Sequence, residues 1–449
     1  MTESAEKRKL YRVVAAAMSG TAVEWYDFAV YGTAATLVFS KLFFPGGGDP
    51  LSGVIEAFVT YAVGFAARPL GGAVFGHFGD KYGRKRLLQV SLVLIGTSTF
   101  LMGLLPTFQQ VGYAAPLALV ILRFVQGFAV GGEWGGAVLL IAEHSPDNRR
   151  GFWTSFVQAA APVGNVIAAL VLWALSSVLD DASFLSWGWR IAFLLSAVIA
   201  LVGWYVRTRI EDAPIFKEAA NRAKTAKPSR PPMLEVIRTQ PRNLLIAIGL
   251  KLAENIWYWI VAAFSVTYLN YLGIKTGNIL LLLLTAQFLA CLAIVFFGHL
   301  CDRIGRKPVY LFGIVTSAAF SFAIFPLYRS ESMVLTLLGI CVGLITWSAM
   351  YAPQSALMAE MFPTRVRYSG VSIGYQFSSI FAGSLAPIIA TALLQTYGAS
   401  LPISLYVATA ALLSLVALFF ARESRGNSLR DAGLNDEQSS AEAVPNRIA

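Results

Sequence analysis

Charge is what this sequence has least of: Asp, Glu, Lys and Arg make up 13% of its 449 residues, about half the share of a soluble chain. A soluble protein of two or three domains is thereby excluded. Three cysteines build no disulfide framework. Cys291 and Cys341 fall inside apolar runs and Cys301 in a basic loop, so all three read as small packing residues. The three histidines, His77, His144 and His299, sit singly at the ends of apolar runs, and no HExxH occurs. Metal-assisted hydrolysis and nucleophile–base catalysis lack their residues, so no enzyme, metal site or cofactor is expected. No cleavable signal precedes the first apolar run: MTESAEKRKLYR leads straight into it, and that run is expected to serve as the insertion signal.

Apolar residues, by contrast, form 56% of the chain, with a mean hydropathy of +0.62. Residues 277–297, GNILLLLLTAQFLACLAIVFF, are long enough as a helix to cross a hydrocarbon layer about 30 Å thick. In lipid such a run must be helical, because no water is present to satisfy an open backbone. The pattern predicts twelve spans, near 12–42, 53–77, 87–106, 115–143, 151–179, 188–207, 242–271, 277–299, 308–328, 332–360, 369–396 and 401–421. Of the 35 Lys and Arg residues, 28 fall in or beside the two tails and the loops after even-numbered spans. By the positive-inside rule both termini are expected in the cytoplasm of a bacterial inner membrane. The net charge of +10 then reflects topology and contact with anionic lipid, not nucleic acid.

The expected organisation is a six-helix bundle over 1–207, a cytoplasmic linker over 208–241, a second bundle over 242–421 and a disordered tail over 422–449. Within the linker, IEDAPIFKEAANRAK has the composition of a surface helix and KPSRPP that of an extended segment.

The two halves repeat. GHFGDKYGRK at 76–85 matches GHLCDRIGRK at 298–307, an offset of 222, and AEHSPDNRR at 142–150 matches AEMFPTRVR at 359–367, an offset of 217. Both matches fall on equivalent loops, after spans 2 and 8 and after spans 4 and 10. Two parallel six-helix repeats around a midplane site can rock and expose that site to each side in turn. Gly76, Asp80, Gly83 and Arg84, their counterparts Gly298, Asp302, Gly305 and Arg306, and the loop acids Glu143 and Glu360 are the expected gate. Small residues let helices approach, and the Asp groups make charge-assisted contacts that break during rocking.

Ionisable groups inside the spans are costly and mark function. Span 1 carries Glu24, Asp27 and Tyr31; span 4 carries Arg123, Gln126 and Glu133; span 7 carries Lys251, Glu254 and Tyr258; span 10 carries Trp347, Tyr351 and Gln354. These spans are equivalent by pseudosymmetry, and their polar residues are expected to line one central cavity. Asn165, Gln287 and Gln376 add thinner polar signals. Glu24 reads equally as a cap or pairing group, Arg68 as an interhelix clamp or a ligand, and Lys251 as the partner of a substrate carboxylate or of Glu254. The four deep acids outnumber the bases Arg68, Arg123 and Lys251 by one. An excess carboxylate in low dielectric takes up a proton. The expectation is that Asp27 and Glu133 compete for Arg123, with Asp27 as the proton carrier and Glu24 in the same set.

The repeated G-x-x-x-D-x-x-G-R-[KR] loop resembles the signature of the major facilitator superfamily. VEWYDFAVYG, RPLGGAVFGHFGDKYGRK, RFVQGFAVGGEWGGA, SWGWRIAF and EMFPTRVRYSG further resemble its metabolite–proton symporter family. That resemblance implies a twelve-helix fold and proton-coupled uptake of a carboxylate, polyol acid or compatible solute, by a chain functional as a monomer. Symport of a zwitterionic compatible solute and facilitated transport without protons are the alternatives. The tail has no heptads, unlike the coiled-coil tail of the family's osmosensing carriers.

Overall fold

A computed structural model describes residues 3–44, 50–82, 84–131, 133–208, 232–363, 366–426 and 429. Within these ranges the side chains of 3–7, 9, 16, 50, 73, 76–82, 84–88, 206–208 and 232–234 lie outside the description. The fold is all-α, with twelve long helices: α1 (3–42), α2 (Pro50–Tyr82), α3 (Arg84–Leu104), α4 (Ala114–His144), α5 (Arg150–Val178), α6 (181–208), α7 (Pro241–Tyr271), α8 (Thr276–Ile304), α9 (306–328), α10 (Met333–Met361), α11 (Arg367–Tyr397) and α12 (Leu401–Phe420). Among the described residues nine are long and apolar enough to cross a membrane by length and composition. The other three fall short for visible reasons. Helix α1 carries Glu24 and Asp27 in its middle, the apolar part of α3 is Gln89–Leu104, and a turn at 321–323 interrupts α9. The turn breaks a span that the apolar pattern draws as continuous.

Helices α1–α6 and α7–α12 form two bundles whose internal packing repeats. In the first, α1 lies on α5, α2 on α4 and α3 on α6; in the second, α7 lies on α11, α8 on α10 and α9 on α12. Equivalent helices also share backbone irregularities: α1 has a π-turn at Ala35–Phe39 and α7 at Ile260–Phe264. The bundles meet along α5 and α8, the most extensive helix pair in the molecule, and along the equivalent pair α2 and α11.

Lipid tails are as apolar as leucine, so close backbone approach and polar bonds hold such helices together. Between α2 and α4, a Cβ on Gly127 would lie 1.8 Å from the Gly64 carbonyl oxygen, and one on Gly131 would lie 2.0 Å from that of Arg68. Only glycine permits this contact. Gly132 and the linker residues 209–231, including the IEDAPIFKEAANRAK segment and all of KPSRPP but its last proline, lie outside the described residues; Pro232 begins a short helix, Pro232–Thr239.

Candidate functional site

The buried polar residues fall into three groups. The first lies within the first bundle. Asp27 on α1 is 0% exposed; its Oδ1 accepts from Ser196 Oγ of α6 at 2.5 Å, and Thr99 also stands beside the carboxylate. Tyr26, beside it, donates to the Ala192 carbonyl at 2.6 Å and fixes α1 against α6. Arg123 on α4 is within electrostatic reach of Asp27, yet among the described residues it makes no ion pair. Its guanidinium donates to Gln126 Oε1 and lies 3.7 Å from the Tyr31 ring centre and 4.2 Å from that of Tyr61. The ring faces carry negative potential and replace a carboxylate as partner. Gln126 in turn donates to Thr99 at 2.6 Å. The expected contest of Asp27 and Glu133 for Arg123 is therefore not engaged in this state, and Glu133 is buried at Glu133–His144, the second helical segment of α4.

The second group consists of contacts made within each bundle. Lys251 on α7 bonds Glu254 Oε2 at 2.6 Å and Gln354 Oε1 at 3.2 Å, with the Tyr375 ring 4.0 Å away. Of the two partners expected for Lys251, Glu254 holds it in this state, as the i, i+3 spacing on one helix face allows. Glu254 Oε1 also accepts from Trp347 Nε1 at 2.7 Å, and Tyr351 stacks on Trp347 at 4.5 Å. Gln354 donates to Tyr310 at 3.2 Å. Arg68 approaches Glu24 at 3.9 Å and covers the rings of Phe28 and Phe65.

The third group closes the face that carries both chain termini. The Asp302 carboxylate accepts from Gly151 N–H at 2.9 Å and Phe152 N–H at 2.7 Å, at the start of α5. Arg306 binds Asp302 at 2.6 Å. Glu360 on α10 receives Arg150 of the first bundle at 2.5 Å and Arg306 of the second at 3.4 Å. Glu143 lies near Arg367. A Cβ on Gly298 would stand 2.4 Å from Ser155 Cβ, so that glycine sets the α5–α8 approach. Gly305 has φ +110°, which favours glycine. The start of the tail belongs to this group. Glu423 accepts from the Arg306 and Lys307 N–H groups at 2.9 Å, and Ser424 donates to Glu360 at 2.5 Å. The environment of the first-half gate residues Gly76, Asp80, Gly83 and Arg84 lies outside the described residues.

Between α1, α5, α7 and α8, toward the opposite face, lies a small, partly open cavity lined by Trp25, Thr33, Asn165, Tyr258, Trp259 and Gln287 among others. Tyr258 packs on Trp347 at 4.6 Å, so the Glu254–Lys251 pair sits behind the cavity floor. Thr36 and Thr267 bond at 2.8 Å across the bundles above it. Composition directed attention to spans 1, 4, 7 and 10; α1 and α7 do line the open space, but α5 and α8 complete it in place of α4 and α10. Trp25 and Ser196 gave no polar signal at midplane, but Arg150 and Arg367 recur in the repeat and were findable there.

Two six-helix bundles that meet around a cavity define a membrane transport protein. The chain belongs to the major facilitator superfamily. The family model described as "Sugar (and other) transporter" matches residues 13–230, and that of the Major Facilitator Superfamily matches 252–445. The chain is 38% identical to the inner membrane metabolite transport protein YhjE of Escherichia coli, over 93% of this chain and 95% of the relative. It is 37% identical to the Shikimate transporter of the same organism, over 92% and 95%. The E. coli proline/betaine transporter is 32% identical over 94% and 86%. Among solved structures, the proton:xylose symporter XylE superposes with a TM-score of 0.73 at 18% identity, covering 96% of this chain and 99% of that one. The protein is a transporter of the twelve-helix major facilitator fold, not an enzyme.

Proposed function

We propose that this protein takes up a small organic acid, such as shikimate or a related carboxylate, together with a proton across a bacterial inner membrane. One observation carries the coupling: Asp27 is fully buried at mid-helix, bonded by Ser196 and within electrostatic reach of Arg123 without an ion pair to it. Protonated, Asp27 is neutral and Arg123 rests on Tyr31 and Tyr61. Loss of the proton creates an anion drawn toward Arg123, and that pull on α1 against α4 links proton release to rocking. Glu133 and Glu24 belong to the same set of deep acids.

The carboxylate of the substrate competes with Glu254 for Lys251 at the cavity floor, where Tyr258, Trp347, Tyr351 and Gln354 surround the pair. The likeness to the Shikimate transporter supports an acid as cargo. The basic loops and tails support placing the gated face and both termini in the cytoplasm. A monoanion carried with one proton moves no net charge. In proteoliposomes an alkaline interior should therefore accumulate labelled shikimate, whereas a membrane potential alone should not. Accumulation of shikimate driven by voltage alone would reject one-to-one coupling in favour of more than one proton per anion, and accumulation under neither gradient would reject the acid as cargo.

A further inference from the structure

The cavity lining contains no charged side chain among the described residues. Its polar groups come chiefly from Asn165, Tyr258 and Gln287. Asn165 Nδ2 donates to the Tyr258 hydroxyl at 2.6 Å, and Gln287 stands beside the same hydroxyl. Gln287 is 4% exposed, and its Oε1 accepts no hydrogen bond from the described residues. A buried acceptor facing a cavity without a protein partner is completed by a donor from the ligand. The walls are aromatic: Trp25 from the first bundle and Trp259 from the second lie within 21° of parallel, with Tyr258 edge-on to Trp25.

We infer that Asn165, Tyr258 and Gln287 form a hydroxyl-reading subsite that selects a hydroxylated ring acid over one without hydroxyls. A ring hydroxyl donates to Gln287 Oε1, and the C–H faces of the ring lie on Trp25 and Trp259. The inference rests on the organic-acid reading and extends it to the neutral end of the molecule. A carboxylate placed among these groups meets no cation, so it belongs at the floor near Lys251. A trimethylammonium group gains from the rings, but it offers no hydrogen to Gln287 and leaves that acceptor unpaired. The chemistry on the page therefore favours O–H donors over a quaternary ammonium.

The test is calorimetric titration of the purified full chain with shikimate, with cyclohexene carboxylate, which has the same ring acid without hydroxyls, and with glycine betaine. A site built to bond a hydroxyl rejects the analogue lacking it, so shikimate should bind at least about tenfold tighter than cyclohexene carboxylate. In Gln287→Leu that preference should shrink to about threefold or less, through loss of shikimate affinity. Should Gln287→Leu fail to fold, Tyr258→Phe provides the same comparison. Equal binding of the two acids by the unaltered protein would overturn the subsite and leave the acid reading standing. An unchanged preference in the variants would do the same. Tighter binding of glycine betaine than of either acid, or no binding of either acid, would reject both.

Discussion

Gly151 N–H donates to Asp302 Oδ1 at 2.9 Å, tying the start of α5 in one bundle to the end of α8 in the other. A carboxylate at a helix amino end meets the positive end of the helix dipole and unsatisfied N–H groups. Gly151 contributes by its lack of a side chain, since a Cβ there would stand 2.5 Å from Cys301 Sγ. Cys301, fully buried between these helices, is thus a native reporter of gate opening.

The first prediction uses that reporter. Glu360→Gln weakens the contacts of Arg150 and Arg306, one from each bundle. Breaking a buried ion pair costs about 3–5 kcal/mol, and a shift of about 1.4 kcal/mol changes a population tenfold. With Cys291 and Cys341 replaced by Ser, maleimide labelling of Cys301 should be slow and should accelerate at least about tenfold in Glu360→Gln. An unchanged labelling rate would show that Glu360 does not hold this face shut.

Gly298→Val makes the second. Its side chain would overlap Ser155 and the Gly151 carbonyl oxygen, and overpacking of this kind costs about 1–3 kcal/mol. Uptake should fall severely while Cys301 labelling rises. A variant with ordinary uptake and protected Cys301 would refute close α5–α8 contact in the transport cycle.

The third concerns Lys251 and Glu254. Lys251→Met leaves a buried carboxylate without its cation, a loss of about 3–5 kcal/mol in stability, and should abolish binding of the acid. The double change Lys251→Met, Glu254→Leu removes both charges, so thermal stability should largely return while acid binding stays lost. Retained acid affinity in the stable double variant would remove Lys251 from the site.

Much of this architecture was legible in the residues. The apolar runs foretold twelve helices, and the offset repeats foretold two like halves, though not that α5–α8 and α2–α11 would join them. The gate residues Asp302, Arg306 and Glu360 came from that repeat, because a gate on a pseudo-twofold axis must appear twice. Partner choice within the helices was not legible. Lys251 had both Glu254 and a substrate as candidate partners, and only side-chain geometry shows which it holds in this state. Arg123 resting on Tyr31 and Tyr61 was equally hidden, because aromatic residues are common in every span. Gln287 stood out as polar in a leucine-rich run, but its place in the cavity depends on how α8 is rotated against α5.

The account stands most directly on Asp27. In Asp27→Asn the residue keeps its size and its contact with Ser196 but can no longer exchange a proton. In liposomes loaded with unlabelled shikimate, the variant should still exchange internal for external label, because rocking with cargo bound needs no net proton movement. It should fail to accumulate label when an alkaline interior is imposed, whereas the unaltered protein should do both. Exchange without accumulation is the predicted result; accumulation at the ordinary level in Asp27→Asn would contradict the assignment of proton coupling to this residue.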